Sequence, residues 1–124
     1  MAPEDAIVIV KDRIDTGTLR RLVDSTFGDM VKFVADTDRD IAAVGGELHA
    51  DGEALLLEHG SSPAALWGAN YYPGRGRDEC VEFTALINIS PARGNGGMEI
   101  ADPAVRERVR AIAYRLLGEG ESLE

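Results

Sequence analysis

The chain has 124 residues, with 13 Lys and Arg against 22 Asp and Glu, so its formal net charge is −9 at pH 7. This length fits one domain that can bury a core without disulfides or metals. The excess of acid repels phosphate backbones and anionic membrane surfaces at long range. We therefore expect no nucleic-acid or membrane partner, and consider a second copy, another protein or a small-molecule ligand instead.

The cysteine content and the N-terminal segment indicate the compartment. Cys80 is the only cysteine and cannot form an internal disulfide, which favours a reducing environment. The segment before Ala6 has no basic residue, and the apolar run from Ala6 to Val10 is too short for a signal peptide or a membrane span. We therefore expect a cytoplasmic protein.

The first third of the chain predicts a strand, a helix and a hairpin. Ile7 to Val10 is β-branched throughout, which is typical of a short strand buried on both faces. Thr16 or Asp15 can cap the helix that follows, because each side chain can accept from free backbone N–H groups. Residues 30–36 and 41–44 predict two strands joined by a polar turn. The strand–helix–strand unit at the start is compatible with a right-handed crossover and a parallel first strand.

The stretch from Glu47 to Glu58 is open to two interpretations. Asp51-Gly52 is a hairpin signal, because both central residues of a type I′ turn need positive φ. We therefore expect strands on either side of it, with Ala54 to Glu58 as the returning strand. The alternative is a helical segment from Glu53 to His59, since Ala, Leu and Glu are good helix formers.

The second half of the chain predicts one long strand and a final helix. Residues 64–67 suggest a short helical turn that leads into an extended segment at 68–72. Val81 to Ile89 alternates apolar residues over the longest run in the chain. Asp102-Pro103 can open the last helix, with a cap followed by proline at the first helical position. Gly118 can end it.

These elements predict an α+β fold. We expect an antiparallel-rich sheet of about five to six strands, with an N-terminal and a C-terminal helix packed on one face. Residues 1–118 are expected to form a single domain and residues 119–124 a frayed polar tail. Two helices cannot easily cover both faces of such a sheet. The open face is therefore a candidate surface for homodimerisation or for a ligand.

Glu47, His49 and Asp51 alternate in the sequence and would share one face of a strand. Two carboxylates and an imidazole at this spacing are candidate catalytic groups for acid–base chemistry. A divalent metal is the cofactor that such residues could hold, and the candidate ligands are His49, Asp51, Glu53 and Asp36. The simpler interpretation is a solvated polar face, which the pattern favours because this string is no established metal motif.

A second group of candidates combines aromatic and polar side chains. Trp67, Asn70 and Tyr72 lie close together along the chain, and Arg93 and Asn95 lie in a glycine-rich loop. Aromatic and polar groups converge in ligand pockets, and a glycine-rich loop can surround an anion with its N–H groups. These five residues are the candidate ligand-binding set. Core packing and a flexible loop are the structural alternatives.

Four motifs resemble a prokaryotic family that is known only as a domain of unknown function. They are Phe27 to Lys32 (FGDMVK), Gly45 to Asp51 (GGELHAD), Leu66 to Pro73 (LWGANYYP) and Ile87 to Ile89 (INI). The resemblance runs from about Ile7 to Leu117. Since the family has no established activity, the resemblance implies no catalytic residue. At Ser90 the chain departs from the family pattern, which has an arginine before the proline.

Three functions remain open from the sequence. The first is a small binding or interaction module, with a homodimer as one version. The second is a metal-assisted or acid–base enzyme that uses the face of Glu47, His49 and Asp51. The third is an acidic regulatory partner of another protein. No nucleophile elbow or metalloprotease histidine pair is present, so the sequence does not decide whether the protein is an enzyme.

Overall fold

The computed structural model describes residues 7–123. In this range no helix is both long enough and apolar enough to cross a membrane. The strands are β1 (Ile7–Val10), β2 (Val31–Asp36), β3 (Ile41–Gly45), β4 (Leu66–Tyr71) and β5 (Val81–Glu82). The α-helices are α1 (Thr16–Asp24), α2 (His49–Glu58) and α3 (Pro103–Leu116). Short 3₁₀ turns lie at Pro63–Ala65, Leu86–Asn88 and Pro91–Arg93.

The strands form one antiparallel sheet in the order β1-β3-β2-β4-β5. The predicted α+β class is confirmed, and β2 and β3 form the expected hairpin. The parallel first strand is wrong, because β3 returns from the hairpin and inserts between β2 and β1, where Val8 lies opposite Val44. As a result β1 is an edge strand, and Ile7 to Ile9 are only half-buried rather than enclosed on both faces.

Helices α1 and α3 pack on the same face of the sheet, as predicted. Their apolar stripes join the side chains of Val31, Phe33 and Val44 in the larger core. The helix residues in this core are Leu19, Leu22, Val23, Val109, Ile112, Ala113 and Leu116. Both predicted caps are present. Asp15 accepts a hydrogen bond from the Thr18 amide at 3.0 Å, and Asp102 accepts one from the Ala104 amide at 2.9 Å.

The opposite face is covered by α2, which replaces the hairpin predicted around Asp51-Gly52. Gly52 lies within the helix and has no positive φ. A Cβ there would lie 3.2 Å from Val34 Cγ2 and 3.4 Å from Ala43 Cβ. Gly52 therefore allows the helix to pack close to the sheet, and it does not form a turn. The predicted strand from Ala54 to Glu58 is wrong. The alternative, a helical segment from Glu53 to His59, is closer to the observed helix, which spans His49–Glu58.

The long strand predicted from Val81 to Ile89 is also wrong, since only Val81–Glu82 pairs with β4. Beyond it, the side chain of Asn88 takes the place of a strand partner. Asn88 Oδ1 accepts from the Gly68 amide at 2.8 Å, and Asn88 Nδ2 donates to the Gly68 carbonyl at 2.9 Å. The apolar alternation arises because Phe83, Ala85 and Ile87 pack inward from an irregular segment.

The segment after α3 is held against the loop that follows β4. The Gly120 amide donates to the Tyr71 hydroxyl at 2.9 Å, and the Gly120 carbonyl accepts from the Gly74 and Gly76 amides at 3.0 Å each. Leu123 packs against the larger core. Residues 119–123, which we expected to be frayed, thus make specific contacts, while residue 124 lies outside the described range.

Candidate functional site

A row of polar residues crosses the face of the sheet on which α2 lies. Alternate residues of a strand share a face, so Lys32 and Asn70 lie on the same side as Val34 and Gly68, which contact α2. In the strand register Asn70 stands between Lys32 on β2 and Glu82 on β5. We use the name His49 site for the cluster formed by Lys32, His49, Asn70, Tyr72 and Glu82.

His49 is the first residue of α2, and its imidazole is buried against β4 with 8% of the residue exposed. Its Nε2 lies 2.9 Å from the carbonyl oxygen of Ala69. Since a carbonyl can only accept, Nε2 carries the proton and donates, which leaves Nδ1 as an acceptor in the neutral ring. The side chain of Asn70 is a second hydrogen-bonding neighbour of the imidazole.

The electrostatics of the cluster keep the imidazole neutral. Burial lowers the pKa of His49, and the positive charge of Lys32 lowers it further. The Ala69 carbonyl and the Asn70 amide act in the opposite direction and are outweighed. At pH 7 the ring is therefore unprotonated at Nδ1, which makes this atom a hydrogen-bond acceptor or a proton acceptor.

The backbone of β4 forms the floor beneath the imidazole at Gly68. A Cβ at this position would lie 3.1 Å from His49 Cδ2, 2.6 Å from Ala85 Cβ and 3.1 Å from Ile87 Cγ1. Only glycine fits, because the α2 N-terminus and the segment after β5 both pack directly on the strand at this point.

Asn70 is the most constrained polar residue of the cluster. It is 7% exposed, and its Nδ2 donates to Glu82 Oε1 at 2.8 Å. Its Oδ1 is buried and accepts no hydrogen bond of good geometry from the described part of the chain. The amide influences the pKa of His49, which shows that the two side chains are neighbours. Buried polar atoms rarely lack a hydrogen-bond partner, so the Oδ1 of Asn70 is an unusual feature of the core.

Tyr72 and Glu82 form the outer end of the cluster. The Tyr72 hydroxyl donates to Glu82 Oε1 at 3.1 Å, and the Arg75 guanidinium lies 3.7 Å from the centre of the Tyr72 ring. Burial raises the pKa of Tyr72, and the Glu82 carboxylate raises it further, so the phenol remains a donor. Glu82 is exposed and can reach solvent or a ligand with its free acceptor positions.

Two exposed leucines adjoin the residues that meet at Gly68. Leu48 precedes His49 and is 58% exposed, and Leu86 lies between Ala85 and Ile87 and is 71% exposed. The polar cluster therefore has apolar side chains at its margin.

The structure does not bring the predicted catalytic and metal residues together as one cluster. Of the candidates, Glu53 is four residues after His49 and shares its side of α2. Successive residues of a helix are about 100° apart, so Asp51 points about 200° away from His49, and Glu47 lies in the bend before the helix. Asp36 is at the far end of β2 from Lys32 and caps the hairpin turn. In the described range no group of three or more His, Cys, Asp or Glu residues could hold a metal.

The predicted ligand-binding residues divide into two groups. Asn70 and Tyr72 belong to the His49 site. Arg93 stacks 3.6 Å from the centre of the Trp67 ring and donates to the Leu66 carbonyl at 2.8 Å. Asn95 is buried and holds its own loop, with Nδ2 donating to the Asn88 carbonyl at 2.9 Å and Oδ1 accepting from the Ala101 amide at 2.9 Å. These three residues have structural contacts that account for them.

Lys32 and Glu82 were missed because nothing in the sequence shows the strand register that places them beside Asn70. Their one signal is the alternation within each strand, which assigns each of them to a face. It does not say which strands are neighbours.

Comparison with known proteins agrees with the resemblance seen in the motifs. A model of the family DUF5674, described as a protein of unknown function, matches residues 8–116. No curated protein and no solved structure matches the chain significantly. Because the family model covers most of the chain, the protein belongs to DUF5674, a family of unknown function.

Proposed function

We propose that the protein binds a small polar molecule at the His49 site. The observation that carries this proposal is the buried Oδ1 of Asn70, which accepts no hydrogen bond of good geometry from the described chain and lies beside a neutral imidazole. A buried acceptor without a donor costs roughly 1–3 kcal/mol, and a ligand that donates to it removes this cost.

The chemistry of the cluster defines the ligand class. Asn70 Oδ1, His49 Nδ1 and the Glu82 carboxylate are all acceptors, so the ligand must offer N–H or O–H donors. Lys32 provides one donor for an acceptor group on the same ligand. The exposed Leu48 and Leu86 favour a ligand with a short apolar part. Small amides and diols have this combination.

The test is NMR on isotope-labelled protein with acetamide and 1,2-propanediol as separate probes. We expect at least one probe to shift the backbone amide signals of residues 48–50 and 68–72. His49→Gln keeps a donor toward the Ala69 carbonyl but removes the Nδ1 acceptor. Loss of one hydrogen bond should weaken the binding of that probe by roughly tenfold.

His59→Gln is the matched control, because His59 is exposed and its Nδ1 bonds only the Leu55 carbonyl of its own helix, at 2.9 Å. It should leave the affinity for the probe unchanged. The proposal is wrong if no probe shifts these signals, or if His49→Gln binds as tightly as the wild type.

General-base catalysis is a second candidate for the same site. It is favoured by the fixed tautomer of His49, whose Nε2 bonds the Ala69 carbonyl and whose Nδ1 remains unprotonated. Glu47 and Asp51 have no part in it. The same NMR samples distinguish the two functions. Conversion of a bound probe at a rate lost in His49→Gln would indicate catalysis, and unchanged probe signals would indicate binding alone.

A further inference from the structure

The two ends of the His49 site carry opposite charges. In the strand register Lys32 and Glu82 lie on either side of Asn70. Neighbouring strands are about 4.8 Å apart, so the Cα atoms of Lys32 and Glu82 are about 10 Å apart. Within the described range no ion pair includes either residue. The Lys32 ammonium lies 5.3 Å from the centre of the Phe27 ring, and the Glu82 carboxylate accepts from the neutral groups of Asn70 and Tyr72. Both charges are therefore available to a ligand.

We propose that the ligand is a free α-amino acid with a short apolar side chain, an inference that rests on the proposed binding function of this site. Its carboxylate faces Lys32, and its ammonium group faces Glu82. The three N–H groups of the ammonium correspond in number to three acceptors, the Glu82 carboxylate, Asn70 Oδ1 and His49 Nδ1. The apolar side chain of the ligand then lies against the exposed leucines at the margin of the site.

The charges oppose simpler ligands. A carboxylic acid without an ammonium group is repelled by Glu82 and by the net charge of −9, and an amine without a carboxylate is repelled by Lys32. An α-amino acid is neutral overall and offers the matching charge to each end. Glu53, on the same side of α2 as His49, acts electrostatically on Arg93. The site therefore favours a zwitterion over either single charge.

Three probes of one shape separate the two charges. They are L-valine, isobutylamine, which is valine without its carboxylate, and isovalerate, which is valine without its ammonium group. NMR on isotope-labelled protein at pH 7 follows the backbone amide signals of residues 48–50 and 68–72. We expect valine to bind at least roughly tenfold more tightly than either of the other probes, because each of these lacks one charge-assisted hydrogen bond.

Two substitutions remove the charges of the site one at a time. Lys32→Met should weaken valine binding roughly tenfold and should not weaken the binding of isobutylamine, which has no group for Lys32. Glu82→Gln keeps an Oε1 acceptor for Asn70 and Tyr72 but removes the charge. It should weaken valine binding by a similar factor and should not weaken the binding of isovalerate.

Lys11→Met and Glu58→Gln are the matched controls, because they remove the same charges at exposed positions outside the site. The backbone of Lys11 contacts Arg115 of α3, on the opposite face of the sheet, and Glu58 is the last residue of α2. Both variants should bind valine as the wild type does. If Lys32→Met disturbs the fold, Glu82→Gln decides the matter.

The outcomes separate this inference from the binding function on which it rests. If acetamide or 1,2-propanediol shifts the signals and valine does not, the α-amino acid is overturned while the binding site stands. If none of the probes shifts them, both proposals fall. The α-amino acid is also overturned if isobutylamine or isovalerate binds as tightly as valine, or if Glu82→Gln leaves the affinity for valine unchanged.

Discussion

Asp36 is fully buried and serves as the acceptor for the hairpin turn and the loop after α2. Its Oδ1 accepts from the Asp38 amide at 2.9 Å and the Arg39 amide at 3.0 Å, and its Oδ2 accepts from Ser61 Oγ at 2.6 Å. Every oxygen of the carboxylate is thus occupied by the chain itself. This side chain, which the sequence had suggested as a metal ligand, stabilises two turns.

Asp36→Ala should therefore destabilise the protein. The substitution leaves the Ser61 hydroxyl and two backbone amides without an acceptor, at a cost of roughly 3 kcal/mol in the free energy of unfolding. Urea denaturation followed by circular dichroism measures the loss. The neighbouring Asp38 is exposed, and Asp38→Ala should change stability by less than about 0.5 kcal/mol. Equal effects for the two substitutions would contradict this role for Asp36.

Residues could be predicted from sequence where their partners are close along the chain. The caps at Asp15 and Asp102 were found because each side chain bonds an amide two or three residues away. Asn88 was not singled out, because its partner Gly68 is 20 residues distant. In the His49 site, His49, Asn70 and Tyr72 were named from residue type, whereas their grouping needed the tertiary structure.

Gly68 is where three elements meet, since β4, the N-terminus of α2 and the segment after β5 all make contact there. Gly68→Ala should force His49, Ala85 and Ile87 apart and reduce the free energy of unfolding by roughly 2 kcal/mol. It should also shift the NMR signals of the His49 ring. Gly97→Ala is the control, because nothing lies within 4 Å of a Cβ at that position. An equally small effect of both substitutions would show that the elements are not packed as described.

The misassigned elements share a physical cause. The apolar residues of α2 and the Asp-Gly pair were compatible with strands, and the helix is selected by packing of Gly52 on Val34 and Ala43. Likewise the alternating apolar residues after β5 pack into the interior, although their segment does not pair as a strand. In both places a tertiary contact overrides the local pattern. The hairpin of β2 and β3 was predictable because its strands and its turn are consecutive.

At the scale of the whole molecule, Tyr71 joins the middle of the chain to its C-terminal segment. The residue is 1% exposed, and its hydroxyl accepts from the Gly120 amide. Burial raises the pKa of Tyr71 from 10.0 to about 12, and the Gly120 hydrogen bond only partly opposes this. The folded protein therefore keeps the phenol protonated at a pH where the unfolded chain ionises it.

Stability should consequently fall as the pH rises from about 10 to about 12. Below pH 10 the phenol is neutral in both states and contributes no pH dependence. Between these values the unfolded state has released a proton that the folded state retains, which lowers the free energy of unfolding by up to roughly 2 kcal/mol. Urea denaturation across this range measures the slope. Tyr71→Phe should reduce it, and an identical slope in the variant would refute the assignment.

The hydrogen bonds of Asn88 limit which residues can replace it. One short side chain supplies both an acceptor and a donor to the backbone of Gly68, and its Nδ2 also reaches the Met98 carbonyl at 3.1 Å. Aspartate has the same length but no donor, and glutamine has both groups but one methylene too many. The identity of residue 88 is therefore dictated by the peptide group that it faces. Leu86, two residues earlier and exposed to solvent, is free to vary without loss of the fold.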